Sequence, residues 1–552
     1  MFIKNQETLN KLTSKTLRKG KTMSRVDEMI RGYGPGFPSL EELFATEPSE
    51  ADRLRLESPI PALGRYLRSV KFLNEVTSGK AVGILRFKII TRYFTALSVL
   101  MRKYQGIHAH QKIIGPLSDS ELSAISEIGK NIKDVLQAER IEKFTEHDTA
   151  AAGDFVKLRI AHDFPHLTSS IEGVHFACTS EDVMGNVFGL IANNLVFKHF
   201  LGALLDFCAS IINFTEKYEV SGPLLLPALT HQQAAEPITL GKKNATRLRA
   251  IDYLIGQMWK EDGSFQPFSG KMGGGGGNLI CHYAAYSDID WRSFAKDFVE
   301  DLGLHYEEMT DQCVSYVVEV QHFCAIANIL TQIIKLTKDF VNMASCPSQF
   351  FVKEKKKGVK ASSLMPNKCN AWGMEGAIRM LAEARTSLLF LAQALPDYPH
   401  EGDMGRSYLF RNVGNCFMPI FIALARITSE MSKYHPNPAK ITAFFDEYPG
   451  MAGSSIQTVL KRMGIASDAY RAIQEIAINP DGTYANQEQF RQGLEKKMGE
   501  FDLPEDSRRE LRALLNPANL VGPAHQMVQE TIKTLKDHFE GYRRGMEEIK
   551  TI

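Results

Sequence analysis

The chain has 552 residues, and its 65 basic side chains against 64 acidic ones leave a formal net charge of +1. This balance excludes a protein whose whole surface is built to bind nucleic acid or an anionic membrane. Apolar residues make up 44% and charged residues 23% of the chain, as in globular proteins and unlike disordered ones.

The first 55 residues predict an appendage to the folded part. Basic side chains dominate before position 26, where Glu7 is the only acidic residue, and residues 32–38 are dense in glycine and proline. A flexible basic tail accounts for this pattern, and a transit peptide is the alternative, although arginine is sparse. We therefore expect a cytoplasmic protein, or an organellar one if the basic segment is a transit peptide.

From about Ile84 onward the apolar pattern predicts helices. The strongest case lies between Gly303 and Pro347, where neither glycine nor proline occurs and apolar residues recur at helical spacing. Three shorter stretches also lack both breakers: residues 130–152, 203–221 and 377–395. Strand-like alternation is scarce, so we predict a mainly α fold, a bundle of long helices.

Two composition signals limit the class of protein further. The most apolar region, residues 187–214, is interrupted by polar and charged side chains, so we expect no membrane span. The eight cysteines are scattered and form no CxxC pair, which argues against a structural zinc site and suits a reducing compartment.

Two loop segments interrupt the predicted helices. Residues 272–278 contain five successive glycines, which are typical of a flexible linker and do not have the spacing of a phosphate-binding loop. Residues 353–360 form a charged turn, followed by Ser362-Ser363-Leu-Met-Pro-Asn-Lys368-Cys-Asn370. A serine acts as a base only where its alkoxide is stabilised, whereas a lysine and an amide can hold a carboxylate. Taken alone, this pattern also fits a capped helix start after a loop.

Residues 361–371 resemble the signature Gly-Ser-Ser-x-Met-Pro-x-Lys-x-Asn-Pro of the fumarase/aspartase superfamily. Residues 230–242 are similar to Thr-His-Gly-Gln-Pro-Ala-x-Pro-x-Thr-x-Gly-Lys, and residues 175–182 to His-Phe-Ala-x-Thr-Ser-x-Asp, both from the adenylosuccinate lyase branch. Weaker similarities follow in the same order along the chain, at residues 64–66, 146–148, 278–291, 310–312, 407–412 and 517–522. The resemblance covers residues 56 to 535.

The resemblance implies a three-domain, mainly α fold with a central bundle of long helices. It divides the chain into an N-terminal extension (1–55), an N-terminal helical domain (56–165), a central bundle domain with the catalytic loop near 353–370 (166–425) and a C-terminal helical domain (426–552). It also implies a homotetramer with a 20-helix core, whose active sites draw residues from several chains.

The implied reaction is the elimination of fumarate from a succinyl-amine in purine biosynthesis, namely adenylosuccinate to AMP and SAICAR to AICAR. By resemblance Ser362 is the base and His231 is the acid, a task that suits a side chain whose pKa lies near neutrality. The reaction needs no cofactor and no metal, and its partner is a small-molecule nucleotide rather than nucleic acid or membrane.

The resemblance also assigns residues that bind the substrate. The succinyl carboxylates would be bound by Lys368, Asn370, Thr179, Ser180 and Gln312. His147 and Asp148 would line the site, with Ser363 and Glu375 in support. The phosphate would be bound by Arg65, Tyr66, Ser407 and Arg411, since guanidinium and hydroxyl groups suit that anion. The family carries another arginine near position 402, where this chain has glycine, so we expect Arg406 to take over part of that role.

The chain departs from the family pattern around the substrate. Ala361, Asn367 and Ala371 replace residues of the signature, and Gln232 and Ala234 replace a glycine and a proline beside His231. Two alternatives to an adenylosuccinate lyase therefore remain: a lyase that releases fumarate from a different succinyl-amine, and a catalytically retired tetrameric scaffold. The retained serine, histidine, lysine and asparagine argue against retirement.

Overall fold

The computed structural model describes residues 65–104, 112–219, 222–260, 262–354, 358–360, 362–465 and 468–549. The predicted N-terminal extension and Ala361 lie outside these ranges. The chain divides into two compact units. The smaller comprises Met1–Arg65 and Lys353–Asn370, and the larger comprises Tyr66–Val352 and Ala371–Ile552.

The larger unit begins with short helices around a long one. Two 3₁₀ turns, Leu67–Ser69 and Lys71–Glu75, precede it. Four helices follow: α1 Gly79–Lys103, α2 Asp119–Ser126, α3 Ile132–Thr145 and α4 Asp148–Asp163. Side chains at their N-termini satisfy the first backbone amides, as where the Ser118 hydroxyl accepts a hydrogen bond from the Glu121 amide at the start of α2.

The central bundle contains the longest helices. A 3₁₀ segment, Pro165–Gly173, leads into α5 Ser180–Asn193, a π-helical stretch Asn194–Phe200 and α6 Leu201–Glu219. The elements that follow are β1 Leu225–Thr230, β2 Gln233–Thr239, α7 Leu240–Gly256, β3 Ser269–Gly270, α8 Ile280–Ala285, α9 Trp291–Asp301, β4 His305–Tyr306, α10 Val317–Ala344, β5 Phe351–Lys353, α11 Trp372–Ala394, α12 Gly405–Arg411 and α13 Val413–Met431. Helix α11 packs between α10 and α13, and α10 also packs on α7.

The C-terminal part adds a second, smaller core. Its elements are β6 Tyr434–Pro436, α14 Pro438–Glu447, a 3₁₀ turn Pro449–Ala452, α15 Gly453–Arg462, α16 Ala469–Ala477, α17 Gln487–Glu500, α18 Glu505–Ala513, a 3₁₀ turn Pro517–Leu520 and α19 Ala524–Glu547. Buried residues of α15 to α18, such as Ile456, Phe490 and Leu511, form this core. The last helix, α19, returns to the main core and packs on α7.

The predicted mainly α class is confirmed, but several boundaries differ from the prediction. The run between Gly303 and Pro347 contains strand β4, and its helix begins only at Val317, after Tyr316 in a left-handed conformation (φ 61°). The stretch 130–152 is two helices, because Glu146 is also left-handed (φ 52°) and ends the first. The β1–β2 hairpin was not predicted.

Within the part of the chain that the structure describes, three helical segments are long and apolar enough to cross a membrane by length and composition: Ser180–Glu219, Val317–Ala344 and Gly405–Met431. The expectation that no segment qualifies is therefore wrong by this criterion. Between 56% and 61% of the most apolar window of each segment is buried inside the fold. These segments supply the packing faces of the central bundle, which accounts for their composition.

A buried ion pair joins three parts of the larger unit. The Lys271 ammonium lies 2.8 Å from the Asp182 carboxylate, and the two side chains are 1% and 0% exposed. Asp182 also accepts hydrogen bonds from the amides of Thr179 (2.8 Å) and Gly273 (2.8 Å). Lys271 donates to the carbonyl oxygens of Gly274 (3.1 Å) and Gln312 (3.0 Å). The pair thus fixes the start of α5, the glycine loop and the segment before α10 together.

The glycine loop is packed rather than flexible, so its interpretation as a linker is wrong. Gly273 and Gly274 are buried beside Asp182. Gly277 has a left-handed conformation (φ 73°), and a Cβ atom there would lie 2.0 Å from the Thr310 carbonyl oxygen. Glycine is required at this position because any side chain would push the two backbone segments apart.

We expect Asp182→Asn and Lys271→Met each to lower the free energy of unfolding by about 3–5 kcal/mol, because each leaves an uncompensated buried polar partner. Urea denaturation measures the change. As a matched control, Arg292→Met removes an exposed ion pair with Glu308 and should change the stability far less, because solvent screens such a pair. Equal losses in the buried and exposed pairs would contradict the assigned role of the buried pair.

Candidate functional site

His231 lies at the turn of the β1–β2 hairpin. The two strands are antiparallel, and Thr230 pairs with Gln233, which leaves His231 and Gln232 as a two-residue turn. Both turn residues are left-handed, with φ 50° and 63°. Such turns favour Asn-Gly because other side chains are strained there. The imidazole is therefore presented at an exposed tip, by a backbone conformation that a His-Gln sequence does not favour.

The hairpin is held from the C-terminal helices. The Tyr484 hydroxyl donates to the Gln233 side chain (2.9 Å), and the Ser454 hydroxyl donates to Glu236 (2.6 Å). These contacts hold β2 at its first residue and at its centre, so the turn is anchored although its tip is exposed.

Arg86, His147, Asp148 and Arg411 form a first group, here called the Asp148 cluster. The Asp148 carboxylate accepts from Arg86 (2.6 Å) and from Arg411 (3.0 Å). His147 caps α4, and its Nδ1 accepts from the Ala150 amide (3.4 Å). A cavity of about 390 Å³ opens beside this cluster.

The two arginines of the Asp148 cluster differ in accessibility. The Arg86 side chain is 12% exposed, and burial lowers the pKa of its guanidinium, an effect that Asp148 opposes. Arg411 is 57% exposed. Arg86 is therefore the fixed partner of Asp148, and Arg411 is the one that an incoming anion can recruit.

Thr179, Glu181, Gln312 and Arg406 form a second group, here called the Arg406 cluster. The Gln312 amide donates to the Thr179 hydroxyl (3.4 Å), and an Arg406 nitrogen lies 3.7 Å from the Glu181 carboxylate. Burial raises the pKa of Glu181, and Arg406 acts in the opposite direction. Ser180, between two members of this cluster, is the first residue of α5 and half-buried.

Helix α12 carries parts of both clusters, and α5 carries part of the Arg406 cluster. Arg406 and Arg411 lie on α12, with the half-buried Ser407 between them. Phe410 of α12 stacks on Phe188 of α5, with ring centroids 4.4 Å apart. Helix α12 thus connects the two clusters, which contain six predicted residues: His147, Asp148, Arg411, Thr179, Gln312 and Arg406.

Other predicted residues of the larger unit lie elsewhere. The Tyr66 hydroxyl accepts a hydrogen bond from Arg426 of α13 (2.9 Å), whose guanidinium also lies 4.8 Å from the centre of the Tyr66 ring. Glu375 lies exposed in the first turn of α11.

The smaller unit contains Arg65 and the serine loop. The Ser362 oxygen accepts from the Met365 amide (3.1 Å), and the Lys368 amide donates to the Met365 carbonyl (3.2 Å). A backbone N–H directed at the serine oxygen stabilises its anionic form. Ser363 and Lys368 are exposed, and Asn370 is half-buried. This local turn has the donor that a serine base needs.

Sequence reasoning missed Arg86 and Glu181. Arg86 lies in an apolar helical pattern and gave no signal, because its partner Asp148 is 62 residues away. Glu181 lies within the motif 175–182, and its charge is the sequence feature that could have identified it as a site residue. Within the described ranges, no group of three or more His, Cys, Asp or Glu side chains could hold a metal ion.

Comparison with known families identifies the class of protein to which this chain belongs. A family model described as lyase matches residues 101–384, about half of the chain. The chain belongs to this lyase family. The predicted membership of the fumarase/aspartase superfamily is thereby confirmed, and the protein is an enzyme, a lyase.

Sequence relatives match this lyase over 85–87% of its own length. The adenylosuccinate lyase of Escherichia coli K12 is 28% identical over 494 residues, covering 87% of this chain and 99% of that protein. The adenylosuccinate lyase of Haemophilus influenzae is 27% identical, covering 85% and 97%. That of Dictyostelium discoideum is 26% identical, covering 86% and 97%.

Two solved structures share the fold. The fumarate lyase of Mesorhizobium sp. BNC1 has a TM-score of 0.60 at 15% identity, covering 84% of this chain and 97% of that one. The 3-carboxy-cis,cis-muconate lactonizing enzyme of Pseudomonas putida has a TM-score of 0.61 at 17% identity, covering 85% and 98%. They confirm the mainly α fold expected for this lyase.

We expect Gln232→Gly to raise the stability of this lyase by about 1 kcal/mol, because glycine adopts the left-handed turn position without steric strain. Ala234→Gly is the matched control, since it places glycine in strand β2 and should lower stability by about 0.5–1 kcal/mol. Urea denaturation compares the two variants. No stabilisation by Gln232→Gly would show that this backbone position carries no strain.

Proposed function

We propose that this lyase eliminates fumarate from adenylosuccinate, giving AMP, and from SAICAR, giving AICAR, in purine biosynthesis. The observation that carries the proposal is the match to adenylosuccinate lyases over 97–99% of their own length. The chain also retains a serine, a histidine, a lysine and an asparagine at the positions that such an elimination uses.

In the proposed reaction Ser362 removes a proton from the carbon next to the C–N carbon of the succinyl group. The electron pair forms the double bond of fumarate as the C–N bond breaks, and His231 gives a proton to the departing nitrogen. Lys368 and Asn370 bind the carboxylate that carries the transient negative charge. The amide of Met365, which donates to the Ser362 oxygen, supports the serine as a base.

The Asp148 cluster fits the phosphate end of the nucleotide. Arg411 is exposed enough to turn from Asp148 to a phosphate, whereas Arg86 remains to balance the carboxylate. This exchange leaves no buried charge unpaired, which favours tight binding of a dianion.

We also propose a cytoplasmic homotetramer with active sites shared between chains. His231 is exposed at the hairpin tip, and large apolar side chains such as Tyr253, Val317 and Phe390 are exposed on bundle helices. Contact with other copies would cover such residues and complete the site.

The direct test is to mix purified protein with adenylosuccinate and follow its ultraviolet absorbance. We expect turnover, and we expect Ser362→Ala and His231→Ala each to lower kcat by about 10²–10⁴-fold, because each removes a proton-transfer group. Ser387→Ala is the matched control, since this half-buried serine of α11 donates a hydrogen bond to the Glu383 carbonyl of its own helix.

Mixed preparations of the two inactive variants test the shared site. If sites use several chains, subunit exchange should restore part of the activity, because some sites then contain both groups. A stable, active monomer would end the tetramer proposal. Wild-type protein without turnover of either substrate would instead support a different succinyl-amine or a retired scaffold.

We expect Arg411→Ala to raise KM for adenylosuccinate by about 10- to 100-fold, because the variant loses one charge-assisted hydrogen bond to the phosphate. Against the dephosphorylated nucleoside the same variant should change KM little. Arg462→Ala, which removes an exposed arginine paired with Glu510, is the control. Equal losses against both substrates would show that Arg411 does not contact the phosphate.

A further inference from the structure

The buried guanidinium of Arg406 does not form all of the hydrogen bonds that it could donate. Its side chain is 3% exposed, and its Nε and Nη1 atoms have no hydrogen-bond partner among the described residues. The contact to Glu181, at 3.7 Å, is longer than a hydrogen bond. A guanidinium has five N–H donors, and burying it in this state is costly, so the position is explained by a ligand that supplies acceptors.

Gly402 makes the space that Arg406 occupies. A Cβ atom at position 402 would lie 3.0 Å from Arg406 Nη1, 3.1 Å from Gln312 Oε1 and 3.2 Å from the Cys313 sulfur. Gly402 also has φ 155°, a conformation that other residues rarely adopt. The glycine therefore allows the guanidinium to lie beside the Gln312 amide.

The surroundings favour an anion of single charge. The Glu181 and Asp403 carboxylates lie 3.7 Å and 4.0 Å from Arg406 nitrogens, so a phosphate dianion would meet more repulsion than a carboxylate. Three further neighbours are neutral: the Gln312 amide, the Thr179 hydroxyl and the Tyr398 ring, whose centre lies 5.1 Å from the guanidinium carbon. Burial raises the pKa of Glu181, which lowers the cost of adding another carboxylate beside it.

We propose that Arg406, beside Gln312 and Thr179, binds a carboxylate of the substrate's succinyl group, and that glycine at 402 makes this possible. The inference rests on the proposed function, and it assigns Arg406 to the carboxylate rather than to the phosphate predicted from the sequence. The two clusters then bind the two anionic ends of one substrate, the Asp148 cluster the phosphate and the Arg406 cluster the carboxylate.

Titration of Arg406→Gln with fumarate and, separately, with AMP tests the assignment, because each product carries only one of the two anions. We expect fumarate affinity to fall by about 10-fold or more and AMP affinity to stay within about 2-fold of the wild type. Arg292→Gln is the control, and Arg406→Lys, which keeps the charge without the planar fork, should bind fumarate with intermediate affinity.

The thermal midpoint separates binding from a structural role. If Arg406 serves the ligand, Arg406→Gln should melt no lower than the wild type, since it removes an unsatisfied buried charge. A lower midpoint with unchanged fumarate affinity would overturn the inference, as would lost AMP affinity with fumarate affinity kept. The fumarate titration needs no turnover, so failure to turn over adenylosuccinate would count against the proposed function alone.

Discussion

The geometry of the candidate site depends on the ion pair between Asp182 and Lys271. Neither charge reaches water, so each must be satisfied by the groups around it, and those groups are backbone atoms of three distant segments. Satisfying the pair places Thr179 at the start of α5 and holds the Gln312 carbonyl beside Lys271. The candidate site can thus use side chains on loops, because buried electrostatics rather than regular secondary structure fixes these loops.

The two clusters use charge in different ways. In the Asp148 cluster the carboxylate already has two arginines, so one of them can move to a new anion without leaving a charge unpaired. In the Arg406 cluster the Nε and Nη1 atoms of the single guanidinium have no hydrogen-bond partner among the described residues. The first arrangement suits a ligand group that replaces Asp148 as the partner of an arginine. The second suits a ligand group that must be held in a fixed geometry. Each cluster includes an arginine of α12, so a shift of this helix would change both.

The sequence predicted the class of fold, because long breaker-free runs are local properties, and its short motifs named six residues that the fold places in the two clusters. Helix α11 lies almost where its run predicted it. What the sequence did not reveal depends on contacts between distant residues or on unusual backbone conformations. Glu146 and Tyr316 end or delay helices by adopting left-handed conformations that propensity does not foresee. The sequence could not show that Arg406 lies near Gln312, because the two residues are 94 positions apart in the chain and only the folded structure brings them together.

The return of α19 to α7 has a consequence for synthesis of the protein. Asp252 is almost fully buried, and its partners His538 and Tyr542 lie 286 and 290 residues further along the chain. While the polypeptide emerges from the ribosome, Asp252 can pair with Arg249 of its own helix (3.0 Å), and it gains its two α19 partners only when this last helix is made. The main core therefore closes only after translation is nearly finished, and a nascent chain must keep its apolar bundle surfaces apart from those of neighbouring chains until then.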